Sequence, residues 1–200
     1  MSQAAVAAPA GHHDHILVVR NATWADYQRH LELRGDDAVP RITYLEGTLE
    51  LMNPSRSHES LKSMIGRLVE AWCFERGVEI SPYGSWTLEN KDADRGAEPD
   101  ECYVVGDVPE PLLPDLAIEV VWTSGGVDKL EVYRKLGVRE VWIYEDATFR
   151  LFRLDGDRYE SVPQSAVLAG IDLVQLAGYV DMQPMTRAVR AYREALRDEG

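Results

Sequence analysis

Leu116-Ala117-Ile118-Glu119-Val120-Val121-Trp122 is an apolar run broken once by an acid, with Pro114-Asp115 before it and Thr123-Ser124-Gly125-Gly126 after it. A continuous rather than alternating run, rich in branched side chains and closed at both ends by turn residues, predicts a central strand covered on both faces. Downstream, Leu130, Val132, Tyr133 and Leu136 recur at helical spacing up to Gly137, and 139–144 is again apolar. Strand, short helix, strand is the unit that lays two strands parallel inside a sheet. Further on, 149–154 and 159–162 flank Asp155-Gly156 as a hairpin. Ala188, Val189, Tyr192, Ala195 and Leu196 give a closing helix over 185–196.

Upstream of the run, 101–105, 86–88 and 78–81 read as short extended stretches. Before them, Leu61, Met64, Ile65, Leu68, Val69, Trp72 and Cys73 mark one face of a helix over 57–76, stopped by Gly77. The stretch 41–52 alternates around Glu46-Gly47, which predicts a hairpin forming an antiparallel entry to the sheet. Thr23 with Asp26 three residues on is a capping box, with Trp24, Tyr27 and Leu31 on the helix it opens and Gly35 at its end. Residues 1–15 read as a leader with too little apolar area to offset the entropy of ordering, so the expected division is a disordered 1–15 and a single domain over 16–200. His12, His13 and His15 on that leader read as incidental rather than as a metal site.

At 200 residues, with 45% hydrophobic and 28% charged residues, the chain can bury a sizeable core. Its 21 basic and 34 acidic residues give a net charge of −13, which argues against passive adhesion to nucleic acid. It does not argue against an enzyme that brings cations to phosphates. Cys73 and Cys102 stand apart from any CxxC or histidine cluster and read as buried thiols. Nothing resembles a signal peptide or a membrane span, so the expectation is a soluble cytoplasmic protein with no membrane partner.

The chemistry-bearing positions are acids near strand ends, since a magnesium-type cation wants two or more rigid oxygen ligands. Glu98-Pro99-Asp100 comes directly before one strand, and the proline fixes the backbone that presents Asp100. Glu119 lies inside the apolar run, where a lone carboxylate costs several kcal/mol unless it is paired, protonated or bound to a cation. Pairing with a basic side chain, or turning outward on an edge strand, would also account for it. Lys129, near the start of the next helix, is long enough to reach the same cleft.

Leu116-Ala117-Ile118-Glu119-Val120, Asp128-Lys129, Tyr133, Gly137-Val138, Glu140 and Trp142-Ile143 together resemble the signature of the Uma-type restriction endonucleases, a branch of the PD-(D/E)XK nuclease superfamily. Tyr44-Leu45-Glu46-Gly47-Thr48-Leu49-Glu50-Leu51-Met52, Pro54, His58 and Glu98-Pro99-Asp100 resemble the family's earlier blocks, in the right order. The resemblance spans roughly 44–180.

It implies an α/β protein with a restriction-endonuclease-like core, a mixed β-sheet flanked by helices, preceded by an N-terminal helix and β-hairpin. It also implies Mg2+ or Mn2+ held by Asp100 and Glu119, with Glu46 as a third metal ligand or else a plain turn residue. Lys129 would be the basic group, and His58 would orient phosphate or water, or else cap its helix. The expected activity is metal-dependent hydrolysis of DNA, with a homodimer as the candidate assembly; the net charge is tolerable if basic residues such as Arg56, Lys62 and Arg67 line the cleft.

Two departures stand out. The Glu-x-Lys pattern would place lysine at position 121, where this chain has Val121, and Trp122 replaces a serine of the family. The alternative is therefore a catalytically inactive module of the same fold, used in dimerisation or partner binding. Trp122, Trp142 and Tyr133 read as core rather than as stacking platforms for bases.

Overall fold

The computed structural model describes residues 13–122 and 126–198. The chain runs β1 (His15–Arg20), α1 (Trp24–Arg34), β2 (Arg41–Leu45), β3 (Thr48–Asn53), α2 (Arg56–Arg76), β4 (Ile80–Pro82), β5 (Leu88–Asn90), β6 (Arg95–Ala97), β7 (Glu101–Val105) and β8 (Leu116–Val120). It continues with α3 (Lys129–Leu136), β9 (Glu140–Glu145), β10 (Thr148–Asp155), β11 (Arg158–Val162), α4 (Leu173–Val180) and α5 (Met185–Asp198).

The mixed sheet runs β11-β10-β9-β8-β7-β4. β8 lies parallel to β9 through the α3 crossover, with Glu119 opposite Ile143, and antiparallel to β7, with Glu101 opposite Ile118. Every residue of β8 is buried. Leu116, Ile118 and Val120 enter the core shared with α2, α4 and α5, while Ala117 enters a second core shared with α3. Side chains alternate across a strand, so a strand covered on both faces must be apolar at odd and even positions alike. Helix-flanked mixed α/β architecture is thus as expected, with β8 at its centre.

The hairpin does not enter that sheet. It belongs to a separate antiparallel sheet of order β1-β3-β2-β6-β5. β1 and β6 supply the difference. β1 is an edge strand whose Leu17 is 58% exposed, so burial imposes no period on its sequence, and β6 is only three residues long.

Local chemistry explains the elements that were anticipated. The Thr23 side chain accepts the Asp26 N–H while the Asp26 carboxylate accepts the Thr23 N–H, closing the capping box of α1. Glu46 and Gly47 both take positive φ, 41° and 86°, as a two-residue turn between twisted strands requires. Ser55 caps α2 by accepting the His58 N–H, and Gly77 ends that helix in the left-handed region.

At the amino terminus, residues 1–12, including His12, lie outside the described residues. Within the stretch expected as a leader, Asp14 is buried and His15 opens β1. Among the described residues, no helix is long and apolar enough to cross a membrane.

Candidate active site

The register of β7 and β8 places Asp100. Glu101 faces Ile118, so Asp100, one step earlier, falls beside Glu119 at the carboxyl end of β8. The two acids are thus brought to the same end of β8, although 18 residues separate them in the chain. Contact is direct through the backbone: Asp100 Oδ2 accepts the Val120 N–H at 2.6 Å.

Both acids are buried, at 1% and 6% exposure, and both are held. Asp100 Oδ1 faces His58 Nε2 at 2.9 Å and forms an ion pair with Arg41 from β2. Arg41 in turn donates to Glu59 on α2 at 2.6 Å. Glu119 Oε1 accepts from the Tyr133 hydroxyl of α3, and Oε2 takes no hydrogen bond from any other described residue. Burial and the neighbouring Glu119 charge raise the Tyr133 phenol well above its usual pKa, so it remains a donor.

His58 sits in the first turn of α2, fully inside the protein. Its Nδ1 lies 3.0 Å from Asp14 Oδ2, and Asp14 Oδ1 accepts the Ser55 N–H at 2.7 Å. The chain before β1, the cap of α2, the start of β7 and the end of β8 are thus tied together through one imidazole. Burial pulls the His58 pKa below its ordinary value, against the Asp14 carboxylate that raises it.

A cleft of about 410 Å³ opens over this group, lined among others by Asp14, Glu50, His58, Glu119, Lys129 and Arg150. It lies between the antiparallel sheet and the junction of β8 with α3. Lys129, the first residue of α3, donates to Thr43 Oγ1 at 2.7 Å and stands 3.9 Å from Glu50 Oε1.

The structure therefore brings Asp100, Glu119, His58 and Lys129 to one place. Glu46 is not among them. It occupies the β2–β3 turn, 64% exposed, with its carboxylate paired to Arg95 at 2.9 Å, which favours the turn-residue reading. The acid of that hairpin that does line the cleft is Glu50, four positions further on.

Arg56, Lys62 and Arg67 do not line the cleft either. Lys62 pairs with Glu59 and Arg67 with Glu70 along α2, where i,i+3 spacing makes acids and bases neighbours. Trp142 and Tyr133 are core residues, as expected, whereas Trp122 is 42% exposed. Among the described residues Glu119 is paired to no basic side chain, and it is not on an edge; its described partner is Tyr133.

Sequence reasoning also missed Asp14, Arg41 and Glu50. For Glu50 a signal existed. Leu49-Glu50-Leu51-Met52 repeats the feature that singled out Glu119, an acid inside an apolar strand.

Among the described residues, no group of three or more His, Cys, Asp or Glu side chains is arranged to hold a metal ion. Two buried carboxylates at the end of β8, of which Glu119 lines the cleft, still fit a magnesium-type ion. Such an ion commonly takes one or two protein carboxylates and completes its shell with water and substrate phosphate oxygens.

The two sheets and the helices that flank them define a mixed α/β protein. The chain belongs to the Uma2 family, described as "Putative restriction endonuclease", whose model matches residues 24–181. No curated protein matches it. Among solved structures it is similar to a crystal structure from Anabaena variabilis described as a "putative nuclease belonging to DUF820". The two share 16% identity and a TM-score of 0.44, over 81% of this chain and 96% of the other.

Proposed function

We propose that the protein is a metal-dependent endonuclease that hydrolyses phosphodiester bonds in DNA, with Asp100 and Glu119 as its metal-holding acids. The observation that carries this reading is the meeting of two buried carboxylates at the end of a central strand, one of which, Glu119, lines a cleft together with Lys129. A divalent cation of the magnesium or manganese type, held by the pair, would polarise a phosphate and make water a better nucleophile.

The protein's own groups have separable tasks. Tyr133 fixes one oxygen of Glu119, a residue that lines the cleft. Arg41, His58 and the Val120 N–H fix Asp100 from three directions. His58 engages a carboxylate with each ring nitrogen, so its part is to orient Asp100 rather than to touch phosphate. Lys129 offsets the charge that builds on phosphate oxygens when water attacks the phosphorus and the bond to the leaving oxygen breaks. Lys129 and Arg150 are the basic residues that line the cleft, which allows an acidic protein to meet a polyanion locally. A homodimer would bring two such clefts to the two strands of a duplex.

The test is plasmid nicking with Mg2+ or Mn2+. Glu119→Gln should abolish metal-dependent cleavage while keeping the fold, and unchanged cleavage would reject the assignment. A second reading, an inactive module of the same fold, is favoured by one observation: Arg41 and His58 already share Asp100 Oδ1. Under that reading the wild type neither nicks plasmid nor binds Mn2+ in a way that depends on Asp100.

A further inference from the structure

Glu50 is a buried acid that the chemistry above does not use. It sits in the middle of β3 at 3% exposure, where an unpaired carboxylate would cost several kcal/mol. Its Oε2 accepts the Val127 N–H at 2.7 Å, and its Oε1 faces the Lys129 ammonium at 3.9 Å. Directly across the sheet from Glu50 is Thr43, 1% exposed, whose hydroxyl oxygen accepts from the same ammonium at 2.7 Å. Facing residues of neighbouring strands project to one side of a sheet, so Thr43 and Glu50 form a seat with an anion on one side and a neutral acceptor on the other. Gly126 lets the backbone close on it, since a Cβ there would stand 2.1 Å from Glu50 Oε2.

We propose that Thr43 and Glu50 are positioning residues for Lys129, holding its ammonium at the cleft rather than leaving it to sweep solvent. A lysine stem is flexible and its head is a compact point charge. Fixing it before substrate arrives removes an ordering step from the reaction. Thr43 takes one of the three ammonium donors, which leaves others for a phosphate oxygen. The proposal rests on the reading of Lys129 as the charge that meets the scissile phosphate.

Two measurements test it. The protein has only four lysines, Lys62, Lys91, Lys129 and Lys135, so the ammonium region of a 1H–15N spectrum can be assigned by loss of a signal in Lys129→Met. A protected Lys129 signal is expected in the wild type and in Thr43→Ser, and is expected to vanish in the near-isosteric Thr43→Val. In plasmid nicking with Mn2+, Thr43→Val should lower kcat about a hundredfold, the scale of a small misplacement of a working group, with KM unchanged. Thr43→Ser should restore it, Glu50→Gln should show the same pattern as Thr43→Val, and Thr43→Val should add nothing in a Lys129→Met background. A Lys129 signal that survives Thr43→Val, or an equal loss of kcat with Lys129 already gone, overturns the proposal. Should the wild type nick no plasmid, the nuclease reading fails, while the ammonium spectrum still decides whether the seat exists.

Discussion

Tyr133→Phe deletes one oxygen from a fully buried ring and leaves the packing of α3 on the sheet otherwise intact. What is lost is the donor to Glu119 Oε1, on a carboxylate only 6% exposed. A hydrogen bond to a charged group contributes about 1.5–3 kcal/mol, and here the acceptor cannot turn freely to water. For a domain of this size about 2 kcal/mol lowers Tm by roughly 4–8 °C.

Differential scanning fluorimetry and urea unfolding of wild type, Tyr133→Phe, Glu119→Gln and the double variant give the full cycle. In the Glu119→Gln background the hydroxyl faces a neutral amide, and a neutral hydrogen bond contributes only about 1 kcal/mol. The phenylalanine change should therefore cost less there. A Tyr133→Phe variant melting within about 1 °C of wild type, or costing the same in both backgrounds, would show that the buried acid is not held as an anion by this hydroxyl.

Three further expectations concern the surroundings. Asp14→Ala removes the partner of both His58 Nδ1 and the Ser55 N–H; it should cost roughly 2–4 kcal/mol in urea unfolding and also weaken plasmid nicking, and a neutral result would detach the segment before β1 from the site. Gly96→Ala brings a Cβ to 2.2 Å from the hydroxyl of buried Tyr27, which stacks on Tyr44, so the ring must move at a cost of about 1–3 kcal/mol or more; undiminished stability would contradict that packing. Arg197 and Arg193 of α5 hold the Glu75 carboxyl down from 4.5 to about 2. Because the folded value is the lower one, this contribution is complete above about pH 4.5 and fades as pH falls towards 2, so the Tm gap between wild type and Glu75→Gln should close over that window; a pH-independent gap would refute the pairing.

Much of the fold was legible because its signals are local. The Thr23/Asp26 box, the positive-φ pair Glu46-Gly47 and the Gly77 stop are each written within a few residues, and β8 announces itself by being apolar at both parities. β1, β6 and α4 were not legible, for different reasons. β1 is exposed and carries no period, β6 is shorter than any period, and α4 rests on Asp172 capping a helix of eight residues.

In the candidate site, Asp100, Glu119, His58 and Lys129 were singled out from a buried acid, a strand-initial Asp and a family resemblance. Their partners were not. Asp14 with His58, Arg41 with Asp100 and Glu50 with Lys129 are brought together only by the folding of separate elements, and no spacing in the sequence encodes such a meeting. Glu46 came from the family resemblance, with a turn residue as its alternative, whereas Glu50 carried a physical signal of its own, an acid inside a buried strand.

The most direct measurement is a calorimetric titration of Mn2+ into the wild type, Asp100→Asn and Glu119→Gln, each first shown folded by circular dichroism. If these carboxylates jointly hold a cation, the wild type gives a saturable heat and each substitution removes it. Saturable binding that survives both substitutions unchanged would place any cation elsewhere in the molecule and remove the ground for assigning hydrolysis to this cleft.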